Sequence, residues 1–227
     1  MKKLLSMFIA ASTLFMLSAC SEKSSDSDEG ERPRRGENPE IEKKVGEITI
    51  KLFPEIAPVA VQNFIDLAES GYYEGKLMHR IISGFMIQGG SPFGDGMGDP
   101  DYDNYFSIEP HPNAIHSYGA LSMANAGPDA NSQQFFIVNN PAGVSHLNGG
   151  YTVFGHTIEG FDMIDAVSSV KTDTDDRPYM DVVIDSVKIK RVEGEPNADS
   201  QSEGNVNGNV KLLSGDVYAV ITLRITG

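Results

Sequence analysis

The sequence predicts a mainly β domain, a closed antiparallel barrel of about eight short strands capped by two α-helices. Three observations predict it. Short apolar or alternating runs recur along residues 45–191, at lengths that suit strands and not long helices. The chain carries 23 glycines and 12 prolines, the composition of a turn-rich β body. Two segments alone, one early and one late, space their apolar residues at helical intervals. Short strands with two helices at the ends suit a sheet that curls on itself.

The elements follow in order. Val45–Phe53 alternates apolar and polar residues and reads as a strand. Pro54 and Pro58 break it, and Pro58 suits the first turn of a helix. From Val59 to Ser70 the apolar positions Val59, Val61, Phe64, Ile65, Leu67 and Ala68 make one helix face, and Gly71 ends it. Lys76–Ile82 and Phe85–Gln88 read as strands around Ser83-Gly84. Residues 89–112 form a long loop rich in Gly, Asp and Pro, a kind that is more often functional than idle. Ala120–Met123, Phe135–Val138 and Tyr151–Phe154 read as further strands. Phe161, Ile164 and Val167 fall on a second helix, and Val182–Ile189 reads as a strand. No internal repeat is present.

The flanks differ from this body. Residues 1–19 join a basic start, Lys2 and Lys3, to a short apolar run ending Leu17-Ser18-Ala19, the pattern of a secretory signal peptide. The run is too short for a comfortable membrane span. The ending Leu17-Ser18-Ala19-Cys20 resembles the lipobox of bacterial lipoproteins. That resemblance implies cleavage before Cys20 and acylation of its sulfur, hence an extracytoplasmic protein lipid-anchored to a bacterial membrane. Cys20 is the one cysteine, which excludes an intramolecular disulfide. Residues 20–40 are acidic and polar and read as a disordered tether. At the other end, residues 192–227 read as a polar extension. It closes on the β-prone run Val217–Thr226, either an added strand or an unpaired, adhesive end. The expected domain is therefore 41–191.

Charge excludes one class of partner. The formal net charge is −14, and phosphate binding needs a basic face, so no nucleic-acid partner is expected. His111 and His116 near Glu109 fit no standard zinc spacing, and no metal or cofactor is expected. The Gly94–Asp99 stretch GDGMGD is acidic, which speaks against a phosphate loop.

Four blocks carry the functional reading. They are His79–Gly90 (HRIISGFMIQGG), Gly119–Gly127 (GALSMANAG), Ser132–Ile137 (SQQFFI), and His146–Gly149 with Val153–Gly155 (HLNG, VFG). In this order they resemble the cyclophilin family over roughly residues 45–191. The resemblance implies an eight-stranded barrel capped by two helices and peptidyl-prolyl cis-trans isomerase activity on proline-containing polypeptides, by a monomer. It implies a catalytic arginine at Arg80, with Gln88 beside it. It implies a proline slot lined by Phe85, Met86, Phe136 and Leu147, backbone-holding groups at Gln88, Asn125 and Gln134, and a groove bordered by Ala124 and Gly96. His146 stands where many members carry Trp, a position linked in the family to cyclosporin binding. Tyr151 stands where they carry His, and Ser91 where Asp usually follows the two glycines. Against isomerisation stand two other readings of the same groove: a proline-peptide-binding chaperone or adhesin module with incidental turnover, and a lipoprotein using the barrel as scaffold.

Overall fold

A computed structural model describes residues 43–192 and 215–226. The expected signal peptide 1–19, Cys20 and the whole of the expected tether to residue 40 lie outside the described residues, as do 193–214. The described elements are β1 (Val45–Leu52), α1 (Pro58–Glu69), β2 (Arg80–Ile82), β3 (Met86–Gly89), β4 (Ala120–Asn125), β5 (Asn131–Val138), a 3₁₀ turn (Ser145–Leu147), β6 (Val153–Glu159), α2 (Phe161–Ser168), β7 (Val182–Arg191) and β8 (Val217–Ile225).

The strands make one antiparallel sheet in the order β2-β3-β5-β4-β6-β1-β8-β7. It is a curled, open sheet and not the expected closed barrel, because β2 and β7 stand at its two ends. The segment leading into β2 reaches β7, where Leu77 makes an isolated bridge with Val183. Gly75 N and Met78 N donate to Ile184 O and Val182 O, each at 2.8 Å. Residues 71–79 are largely turns, so β2 is too short to extend these bonds into a ladder.

Seven of the eight strands lie within 41–191. The eighth, β8, comes from the segment 192–227 that the sequence sets apart as an extension. It occupies an interior place, paired with β1 from Val45↔Arg224 to Leu52↔Val217 and with β7 from Val182↔Ile225 to Arg191↔Val217. Its alternation explains the fit: Val217, Ala219, Ile221, Leu223 and Ile225 face the core, all at most 1% exposed, while Tyr218, Thr222 and Arg224 face away. Arg224 donates from Nε and Nη2 to Asp185 Oδ1 at 3.0 and 2.7 Å.

The two faces of the sheet have different jobs. One face carries Ile48, Ile50, Leu121, Phe135, Ile137, Phe154 and the inward residues of β7 and β8 into the main core. Helix α1 closes that core with Ala60, Val61, Phe64, Ile65 and Ala68, and Phe64 meets Phe135 and Phe154 at ring distances of 5.6 and 5.3 Å. Helix α2 adds Met163, Ile164 and Val167. The opposite face carries a second apolar cluster, taken up below.

Helix α1 is capped from a distance. The preceding Ala57 offers no side-chain acceptor, so the first amides of the helix lack a local partner. Glu109 supplies it: Val59 N and Ala60 N donate to its Oε1 and Oε2 at 3.1 and 2.8 Å. A carboxylate there also meets the positive end of the helix dipole. Replacing Glu109 by Ala is expected to cost about 1–2 kcal/mol, read as a lower urea midpoint with an unchanged slope.

Candidate active site

The site follows from strand parity. In β2, β3, β5 and β4 alternate residues leave the core, and the register aligns them in a row. Arg80 sits opposite Gln88, Gln88 opposite Phe136, and Phe136 opposite Ser122. Residues two places away share the face: Ile82, Met86, Gln134, Val138, Ala124. One charged fork, one amide and one aromatic ring thus stand side by side on three neighbouring strands.

Beside this row lies the second apolar cluster. Met86, Phe136, Val138 and Val153 are buried in it, and Phe85, Ala124, Leu147 and Tyr151 pack against it half-exposed. Residues that the sequence assigns to a proline slot therefore form one patch, separate from the main core. Phe85 stacks on the exposed ring of His146 with centroids 5.8 Å apart, and Tyr151 meets Phe136 edge-on, also at 5.8 Å.

The polar wall is tied to the long loop. Gln88 Nε2 donates to Gln134 Oε1 at 3.0 Å, and Gln134 Nε2 donates to Gly96 O at 2.9 Å. Gly96 has φ +82, a left-handed conformation, and an added Cβ would lie 3.3 Å from His79 Nε2. Ser91 is buried at the base of the loop. Its hydroxyl accepts from Gly96 N at 3.1 Å and lies 3.2 Å from Asp95 Oδ1, so Ser91 and Asp95 together brace the loop. Asn125 is turned partly to local duty: its amide donates to Gly150 O at 3.3 Å and its carbonyl accepts from Gly127 N. Two clefts flank the row. One of about 640 Å³ has Arg80 and Gln88 in its wall, and one of about 210 Å³ has Gln88, Ala124, Asn125 and Gln134; Gly96 borders both.

Two supports of the site escape sequence reasoning. His116 lies behind the slot, 2% exposed, its ring stacked on Phe136 at 5.8 Å. Its Nε2 lies 3.0 Å from Ser122 Oγ and its Nδ1 2.9 Å from Asn148 Oδ1. Asn148 follows the turn that carries His146 and Leu147, so His116 links that turn to the slot floor. No local pattern marks a histidine for this. The second support is Asp176, whose Oδ2 accepts from Arg80 Nε at 3.2 Å. Gln88 stands beside Arg80 in the ladder, and its amide donates to Gln134.

Burial holds the His116 imidazole below its ordinary value of 6.5; the Asn148 bond opposes this and the nearby His146 adds to it. Burial likewise lowers His79. The unfolded chain therefore binds these protons more readily than the folded one. Stability from them is full above about pH 6.5 and is lost as pH falls below it, by at most about 1.4 kcal/mol per proton and pH unit. Glu109 is raised by burial against its two backbone bonds, so its share runs the other way, lost as pH rises above the ordinary 4.5. The urea midpoint is expected to fall between pH 7.5 and 5.5, and to fall less in His116→Gln.

With this geometry in place, the comparisons are specific. The family model "Cyclophilin type peptidyl-prolyl cis-trans isomerase/CLD" matches residues 39–189. A protein of Staphylococcus epidermidis named for peptidyl-prolyl cis-trans isomerase activity is 38% identical over 176 residues, covering 64% of this chain and 87% of that protein. Peptidyl-prolyl cis-trans isomerase CYP71 of Arabidopsis thaliana is 42% identical over 157 residues, covering 68% of this chain and 25% of that longer protein. A crystal structure of a cyclophilin type isomerase of Cryptosporidium parvum, in the presence of the dipeptide Ala-Pro, aligns with a TM-score of 0.57 at 36% identity. It covers 63% of this chain and 95% of that one. The strand β8 lies beyond the matched residues 39–189. The chain belongs to the cyclophilin family and is a peptidyl-prolyl cis-trans isomerase.

Proposed function

We propose that this chain catalyses X–Pro isomerisation in proteins folding outside the cytoplasm, tethered to a membrane through acylated Cys20, with Arg80 as its catalytic cation. The observation that carries the catalytic part is the row Arg80–Gln88–Phe136 set against the apolar patch of Phe85, Met86, Leu147 and Tyr151. The Ala-Pro dipeptide with the Cryptosporidium relative supports a proline-containing substrate.

The chemistry needs no nucleophile. Amide resonance puts a barrier of about 18–20 kcal/mol on the bond, so unaided exchange takes tens to hundreds of seconds. Twisting the bond breaks conjugation and leaves the prolyl nitrogen a better hydrogen-bond acceptor. The apolar patch grips the pyrrolidine ring while the rest of the bond rotates. Arg80, permanently charged, presents donors to the carbonyl and nitrogen as resonance is lost. Gln88 keeps its Oε1 and one N–H for the peptide backbone, and Gln134, its amide donating to Gly96 O and Met97 O, holds Gln88 in place.

The localisation rests on the sequence of residues 1–40. Among the described residues no helix is long and apolar enough to cross a membrane. Detergent partitioning of the expressed full-length chain tests the anchor. Wild type is expected in the detergent phase and Cys20→Ala in the aqueous phase; identical partitioning refutes lipidation. Peptide binding without turnover would point instead to a binding module.

A further inference from the structure

We infer that Asp176 is a positioning residue, holding the Nε edge of Arg80 so that the Nη donors point at the substrate. The inference rests on the reading of Arg80 as the catalytic cation.

Three observations carry it. First, Asp176 touches Arg80 and its strand at two points. Its carboxylate accepts from Arg80 Nε at 3.2 Å, and its carbonyl accepts from Ile81 N at 2.9 Å. Second, its backbone is unusual. Among the described residues Asp176 is the one non-glycine with positive φ, at 63°. Asp tolerates that region better than most residues, but it still carries a conformational cost. Third, the loop that presents it is closed on itself. Asp173 Oδ1 accepts from Asp175 N and Arg177 N at 2.9 and 3.0 Å, and Asp173 N donates to Arg177 O at 2.9 Å.

Stability does not account for this arrangement. The two side chains are 42% and 36% exposed, and ion pairs that open to water contribute about 0–1 kcal/mol. The backbone bond to Ile81 already docks the loop and needs no carboxylate. What the carboxylate adds is direction. A guanidinium is planar and rigid, so fixing its Nε edge fixes where the four Nη hydrogens aim. The Nε donor is consumed by Asp176, which leaves the Nη donors for other partners, and Arg80 lines the 640 Å³ cleft together with Gln88.

The test separates side chain from backbone. Asp176→Gly keeps the positive φ and the carbonyl but removes the carboxylate; Asp176→Asn keeps an acceptor. Prolyl-isomerase kinetics of the full chain are measured with thermal midpoints alongside. Asp176→Gly is expected to lower kcat roughly 10- to 100-fold with KM and the midpoint little changed, as misplacement of a catalytic group does. Asp176→Asn is expected to recover most of that loss. In an Arg80→Lys background, which has no Nε donor, removing the carboxylate should have no further effect. A wild-type kcat in Asp176→Gly, or an equal loss in the Arg80→Lys background, overturns the assignment. A wild-type chain without turnover fails the isomerase reading itself, a result distinct from either.

Discussion

Replacing Arg80 by Ala is expected to lower kcat/KM for a proline peptide by about 10²–10³, the loss seen when one preorganised donor to a developing charge is removed. The fold should survive. Arg80 lies at the rim of the sheet, its side chain is 42% exposed, and the pair it makes with Asp176 is worth little in water. Ile81, its neighbour, keeps its core contacts and its amide bond to Asp176 O. Arg80→Lys keeps the charge but loses the fork and the Nε partner, so it should sit nearer to Ala than to wild type. Circular dichroism and the urea midpoint check that the loss is catalytic. Phe136→Ala is a poor substitute for this test, since Phe136 is 4% exposed and its truncation also opens a cavity.

Deleting residues 215–227 is expected to abolish folding. The deletion removes an interior strand, and with it the partner of β1 on one side and β7 on the other. Four large side chains go with it: Val217, Ile221, Leu223 and Ile225. At about 1.5–3 kcal/mol each, they are comparable with the whole stability of a domain, about 5–15 kcal/mol. Two bare strand edges remain, which invites aggregation. The expected observation is insoluble or uncooperatively melting protein. A permuted chain supplies the counterpart. Ile225 N donates to Lys44 O at 2.8 Å, so the end of β8 meets the start of β1. Placing residues 215–226 before residue 43 through a short turn, and ending at residue 192, should restore cooperative unfolding and activity. A soluble, cooperatively folded deletion mutant would contradict this role for β8.

What could be read in advance divides by range. Arg80, Gln88 and Phe136 are singled out in the sequence by the family resemblance of compact, local motifs. The pairing of β2, β3 and β5 sets the three side by side. The alternation in Val217–Ile225 was equally plain, but alternation says only that one face is buried, not which strands lie on either side. The pattern therefore predicts about eight strands within 41–191, where seven lie, and leaves β8 outside. Glu109 and Asp176 were illegible for a different reason. Each acts on partners far away in the chain, Glu109 on Val59 and Ala60, 50 and 49 positions away, and Asp176 on Arg80, 96 away. In the sequence each is one acid among many. His116 stands with His111 near Glu109, a set whose spacing fits no standard zinc pattern and whose local sequence points to no other role. Its bonds to Asn148 and Ser122, and its stack on Phe136, follow from the sheet's curl alone.

The central claim is that the Arg80 row and the apolar patch form a working isomerase site. Its most direct measurement is the cis-to-trans relaxation rate of an X–Pro peptide at low temperature, with and without protein spanning residues 21–227. A rate that rises in proportion to wild-type protein, and that Arg80→Ala at the same concentration fails to raise appreciably, is the expected result. Relaxation at the uncatalysed rate with folded wild type, or equal acceleration by wild type and Arg80→Ala, would contradict it.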